Sequence, residues 1–260
     1  MNLKKIDSKN NETIKWIKKL QIKSKFRKTE GFYIVEGYKQ IRELKEDRIH
    51  TLVVSDQKDV QEFKMMENVE IILVDRKLFG EITTDTTPQG ILAVVHMKQL
   101  DFYKEEIEKE GIYLALDEIQ DPGNIGTMIR LCDAVGAKGV ILNKTCVDVY
   151  NPKVVKSTMG SLEHINVYVI EDLVDGLKHL NELGIVTYGS GLEGSQFHYD
   201  YKYPKGVCFV IGNEGKGISE SVLQAVEYQV KIPMPGKAES LNASVAASVL
   251  VYEALRQFSI

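Results

Sequence analysis

The chain of 260 residues is long enough for two domains, and its 43% hydrophobic content can supply a core for each. No apolar run approaches the ~18 residues of a membrane span, and the opening "MNLKKIDSKNNETIKWIKKL" has no signal-peptide core, so a cytoplasmic protein is expected. A net charge of −4 argues by itself against a nucleic-acid partner. The charge is, however, unevenly spread.

Residues 1–28 carry ten Lys or Arg, from Lys4 to Lys28 and including Arg27, against Asp7 and Glu12, a balance of +8. Interleaved with Trp16 and Phe26, this basic arm is either a track for a phosphate backbone or a solvated helix face. Then "GFYIVEG" (31–37), an alternating run closed by glycine, leads to the helix-like "YKQIRELKED" and the strand runs "TLVVS" and "EIILVD". The polar turn "TTDTTPQG" precedes another strand, "ILAVVHM". Together these predict a small α/β domain over 1–97. The charged stretch 98–110, helical in period, is expected to be a linker.

From 111 to 260 the pattern becomes regular. Strand runs "IYLAL", "GVIL", "INVYVI", "IVTY", "VCFVIG" and "YQVKIP" alternate with helices expected near 124–136, 151–162, 171–183, 218–226 and 241–258. Such alternation predicts a mostly parallel sheet covered by helices, with ligands beyond the carboxyl ends of the strands. The cysteines Cys132, Cys146 and Cys208 form no C-x-x-C, and the five histidines do not cluster. Neither a disulfide framework nor a metal site is expected.

Three loops carry chemistry. In "DEIQDPGNIGTMIR" the residues Asp121 to Asn124 start a helix whose buried stripe is Met128, Leu131, Cys132 and Val135. Arg130 lies off that stripe, free to meet an anion, with Asn124 nearby as donor and acceptor. In "VIGNEGKGIS" three glycines let the backbone wrap a ligand around Glu214, but Gly217 stands where a Walker A loop needs Ser or Thr. "IPMPGKAESLNASVAASVLVYEALRQF" feeds a long helix with Asn242 and Ser244 in its first turn. A fourth stretch, "GSGLEG" (189–194), spells a dinucleotide fingerprint, yet "SQFHYDYKYPKG" follows it without a helical stripe. A nucleotide-dependent oxidoreductase is therefore rejected, and Gly189 rather than Gly194 is expected at a ligand cleft.

In order along the chain, "NIGTMIR", "FVIGNEGKGIS" and "IPMPGKAESLNASVAASVLVYEAL" resemble the three motifs of the SpoU (TrmH) family of RNA ribose 2′-O-methyltransferases, within the SPOUT superfamily. "EGFYIVEGYKQIRELK" and "TPQGILAVV" resemble that family's N-terminal substrate-binding domain, related to a ribosomal RNA-binding protein. The resemblance implies an S-adenosylmethionine-dependent enzyme, a homodimer with a trefoil-knotted C-terminal α/β domain. It implies catalytic roles for Asn124, Arg130, Glu214, Ser240 and Asn242, and a cofactor held by Gly189, Ser190, Ile211, Gly212, Ile232 and Leu241. The implied substrate is RNA, with 23S ribosomal RNA favoured, guanosine a plausible target and transfer RNA the alternative. A non-catalytic RNA-binding or ribosome-assembly factor on the same fold is the rival of another class. A guanidinium is a poor base, so Arg130 is expected to clamp an RNA phosphate and steady alkoxide charge while Asn124, Ser240 and Glu214 fix the ribose and the arginine.

Overall fold

The computed structural model describes residues 2–63, 66, 68–191 and 196–258. The chain folds into two compact units, Met1–Gln99 with Asp148–Glu163, and Leu100–Val147 with His164–Ile260. Whereas one boundary was expected from sequence, the chain leaves the second unit at 147 and re-enters it at 164.

The first unit contains β1 (Asn2–Lys5), α1 (Glu12–Ile22), α2 (Ser24–Glu30), β2 (Phe32–Glu36), α3 (Tyr38–Arg42), β3 (Ile49–Val54), α4 (Gln57–Phe63), β4 (Glu70–Leu73), α5 (Arg76–Ile82) and β5 (Ile91–His96). Its sheet has the order β1-β4-β3-β5-β2, mixed in direction. The basic start is fully integrated into this fold. Asn11 caps α1 by accepting from the Thr13 N–H, and Ile14, Ile17 and Leu20 are buried against the sheet while the lysines between them face outward. Gly31, at φ 76°, ends α2 in the left-handed conformation that lets the chain turn directly into β2.

Arg27 departs from the role given to the basic arm. Its side chain is 2% exposed and donates through Nε and Nη2 to Asp148, at 3.1 and 2.6 Å, and through Nη1 to the Leu20 carbonyl at 2.7 Å. A buried guanidinium this well satisfied is a structural strut. It fixes the returning segment, whose helix α7 (Pro152–Thr158) packs on β2, with Tyr33 donating to Glu163 at 2.5 Å on the same side.

The second unit contains β6 (Gly111–Leu116), α6 (Pro122–Ala134), β7 (Gly139–Asn143), β8 (Val167–Ile170), α8 (Leu173–Glu182), β9 (Val186–Ser190), β10 (Gln196–Phe197), β11 (Gly206–Ile211), α9 (Glu220–Ala225), β12 (Tyr228–Lys231) and α10 (Ala243–Phe258). The sheet order is β10-β12-β9-β11-β6-β7-β8, and every pairing is parallel. The central strands β6 and β11 are buried along nearly their whole length, as apolar runs covered on both faces must be. This is the expected mostly parallel α/β sheet preceded by a small α/β domain. The stretch 98–110 forms turns rather than the expected helix, since Phe102 and Ile107 drop into the core of the second unit against Tyr168 and Leu177.

Replacing Arg27 with alanine leaves Asp148 and the Leu20 carbonyl without their donor, and should cost about 3–5 kcal/mol in urea unfolding. A loss under about 1 kcal/mol would mean the pair behaves as a surface ion pair.

Candidate active site

Helix α6 begins at a proline, which needs no donor there, and Asp121 caps it by accepting from the Asn124 N–H at 2.8 Å. The two amides just before this helix are taken by Glu214, reached from the loop after β11. Its carboxylate accepts from the Gln120 and Asp121 N–H groups at 3.3 and 3.2 Å and from the Asn124 side-chain amide at 2.9 Å. Partial burial pushes the Glu214 carboxyl up, but the Asn124 amide and the backbone donors outweigh it and hold it below its ordinary range. Glu214 is thus an anion seated on a helix N-terminus, where the helix dipole favours it.

Asn124 is 7% exposed, and its carbonyl oxygen accepts from the Asn242 side-chain amide at 2.9 Å. The Asn242 oxygen in turn caps α10, accepting from the Ser244 N–H at 2.9 Å and its hydroxyl at 2.7 Å. Glu214, Asn124 and Asn242 form one directional relay through three loops.

The glycine loop is held from behind. Gly212 is there for space: a Cβ would fall far inside van der Waals distance of the Gly217 and Ile218 backbone. Asn213 organises the turn, its oxygen accepting from the Gly215 and Lys216 N–H groups at 3.0 and 3.1 Å and its amide donating to the Glu118 carbonyl at 2.8 Å. Gly217, at φ 74°, closes it. Buried Asp117 accepts from the Ser219 N–H at 2.7 Å and from Asn143 at 2.8 Å.

At the carboxyl ends of β9, β11 and β12 lies a cavity of about 500 Å³, within the usual range for small-molecule sites. Ser190, Ile211, Gly212, Ile232 and Leu241 line it, with Glu214 and Ser240. Gly189 does not. It is buried in β9, where its missing Cβ gives room to Leu223, Val226 and Ile218, so it shapes the wall from behind. Gly194 lies outside the described residues, and Gln196–Lys205 contains a short strand and turns with no helix. Arg130 is exposed on α6 and makes no ion pair among the described residues; Glu214, expected to fix it, is committed to Asn124 and the helix start instead. Asp117, Asn143 and Asn213 were not singled out from sequence. Asp117 follows β6, Asn143 ends β7 and Asn213 stands just past β11, so only their position at the end of an apolar run marks them.

Two family models match the chain: the SpoU rRNA Methylase family over residues 111–252 and the MRM3-like substrate binding domain over 11–93. The 23S rRNA (guanosine(2553)-2′-O)-methyltransferase RlmP of Bacillus subtilis is 33% identical over 252 residues, covering 96% of this chain and 98% of that protein. Among solved structures, the AdoMet-bound rRNA methyltransferase from Sinorhizobium meliloti is 28% identical with a TM-score of 0.87, covering 98% of each chain. The SpoU methyltransferase AviRb from Streptomyces viridochromogenes, in complex with AdoMet, is 29% identical with a TM-score of 0.88, covering 96% of this chain and 99% of that one. These matches define a methyltransferase of the RNA-modifying class. The chain belongs to the SpoU rRNA methylase family, and it is an S-adenosylmethionine-dependent RNA methyltransferase.

Gly212→Ala should weaken S-adenosylmethionine binding by at least about tenfold in a calorimetric titration, since the loop must move to admit the methyl group. Unchanged affinity would show that the close approach of Gly212 to Gly217 is not part of the cofactor wall.

Proposed function

We propose that the chain methylates a ribose 2′-hydroxyl of 23S ribosomal RNA, with guanosine as the target nucleoside. The observation that carries this reading is the Glu214–Asn124–Asn242 relay at the rim of the cavity. Support for the substrate comes from the substrate-binding domain match and from the printed activity of RlmP, a relative along nearly the whole chain.

The cavity walls fit S-adenosylmethionine: loop backbone at Gly212 and Ser190, and apolar Ile211, Ile232 and Leu241. When bound, the cofactor supplies an electrophilic methyl group on a sulfonium. The chain's own residues then position the other reactant. In-line attack needs the ribose oxygen aligned and its proton accepted as it reacts. Ser240 in the cavity wall and the Asn124–Asn242 pair offer polar groups to hold the ribose, and their mutual bonds fix them in advance. Arg130, charged and unpaired, takes the RNA phosphate and steadies developing alkoxide charge. The intact relay speaks against a non-catalytic assembly factor. The three unpaired thiols, Cys132, Cys146 and Cys208, suit a reducing cytoplasm.

Arg130→Ala should bind S-adenosylmethionine as the unaltered protein does and lose about a hundredfold or more in methyl transfer. Full activity would remove Arg130 from the site. Mapping 2′-O-methylated riboses on RNA from cells with and without the gene identifies the target; a site confined to transfer RNA would overturn the ribosomal assignment.

The family's knotted chain path and homodimer belong to the same proposal. Helix α10 packs on α6, β6 and β11 yet leaves Val245 and Tyr252 47% and 52% exposed on one face, at a spacing of two turns. A second copy of the chain covers that face. The protein should sediment at twice 29.4 kDa, and Tyr252→Arg should return it to 29.4 kDa. A monomer in the unaltered protein would remove the dimer.

A further inference from the structure

At one end of the first unit's sheet, where the cover of α1 runs out, four rings come together. Phe32 is at the centre, with Trp16, His50 and His96 at ring-centroid distances of 5.4, 4.8 and 4.6 Å. Their convergence follows from the backbone. Phe32 and His96 are register partners across β2 and β5 and therefore share a face. The β3–β5 register shifts between Ile49 and Thr51, and this bulge aims His50 onto the same group. Trp16 arrives from α1, its indole N–H held by Glu30 at 2.9 Å, which fixes the ring plane. Trp16 and Phe32 are half-buried, and both histidines are exposed.

The surroundings are cationic. Lys19, one turn along α1 from Trp16, lies over the Phe26 ring at 5.5 Å. Lys23 joins α1 to α2, and Lys25 and Lys28 lie on α2, the helix that leads into Phe32; none of the three makes an ion pair among the described residues. Arg48 donates to the His96 carbonyl and is balanced by Glu163 at 3.6 Å. Glu30 is spent on the indole and Glu12 on Lys15. Packing alone accounts for the inner edges of Trp16 and Phe32. It does not account for two exposed imidazoles and a fixed indole on a unit whose first two helices carry lysines without ion pairs among the described residues.

We propose that Trp16, Phe32, His50 and His96 form a stacking platform for unpaired RNA bases, with the α1–α2 lysines taking the flanking phosphates. Flat rings stack on any nucleobase, and lysines track the backbone of a single strand. This rests on the RNA-binding reading above and adds where on the first unit an unpaired segment is gripped.

Trp16 is the chain's single tryptophan, so its emission reports on the platform directly. The full chain, titrated with a single-stranded oligoribonucleotide of about 12 nucleotides, should show quenched emission that saturates with the anisotropy of a labelled strand. His96→Ala, at an exposed position, should weaken binding by about tenfold without unfolding the protein, and His96→Phe should restore it. Replacing Lys23, Lys25 and Lys28 together with alanine should flatten the salt dependence while leaving the quench at saturation. Strand binding with Trp16 emission unchanged, normal affinity in His96→Ala, or tighter binding of the matching duplex would each overturn the platform and leave the RNA reading standing. Failure to bind single strand, duplex and ribosomal RNA alike would bring down the RNA reading itself.

Discussion

One side-chain amide, that of Asn124, sets the geometry of the site. Its N–H donates to Glu214 and its oxygen accepts from Asn242, so both ends are used and the ring of bonds has one direction only. An aspartate there would lack the donor, and an alanine would break the connection to both partners at once. Because Glu214 also closes the start of α6 and Asn242 starts α10, the relay joins the caps of two helices that pack on each other. Local capping chemistry, which any helix needs, is here the means by which loops separated by 90 and 118 residues are registered.

The sheet explains why those loops can meet. All its pairings are parallel, so every strand ends at the same edge. The chain runs outward from β6 through β7 to β8, then crosses to β9, and β11 inserts between β9 and β6. The cavity opens at the ends of β9, β11 and β12, beside the place where this order changes hand. Asp117, at the end of β6, joins the two halves by holding the Ser219 N–H of the glycine loop and the Asn143 amide after β7.

The second unit was legible in the sequence because its strands are continuous apolar runs, and burial on both faces requires that pattern. The three motif loops were legible because glycine, proline and asparagine mark conformations few other residues adopt. In the first unit β2 to β5 were legible as apolar runs, but its basic start was not. In α1 the apolar residues are diluted by lysines, and only contact with the sheet decides which face is inside. The pairing of β1 with β4 leaves no local sign. Neither does the burial of Arg27, which looks like its lysine neighbours until the distant Asp148 reaches it. The charge run at 98–110 mimics a helix, yet Phe102 and Ile107 choose the core instead, since two buried side chains outweigh a marginal helical propensity.

Arg130 and Ser240 are what this relay leaves free. Glu214, Asn124 and Asn242 satisfy one another and cannot also neutralise a cation without breaking the cap of α6. Arg130 is on that same helix, on a surface the core does not claim, so its guanidinium has a rigid base and no counter-ion among the described residues. A fixed cation of this kind is suited to an anion brought from outside, and RNA brings a phosphate next to every ribose. The clamp proposed for Arg130, in preference to a base, agrees with this placement. A carboxylate beside the guanidinium would only hold its proton more firmly, so Glu214, kept at the helix start by Asn124 and two backbone amides, offers no route to a basic arginine.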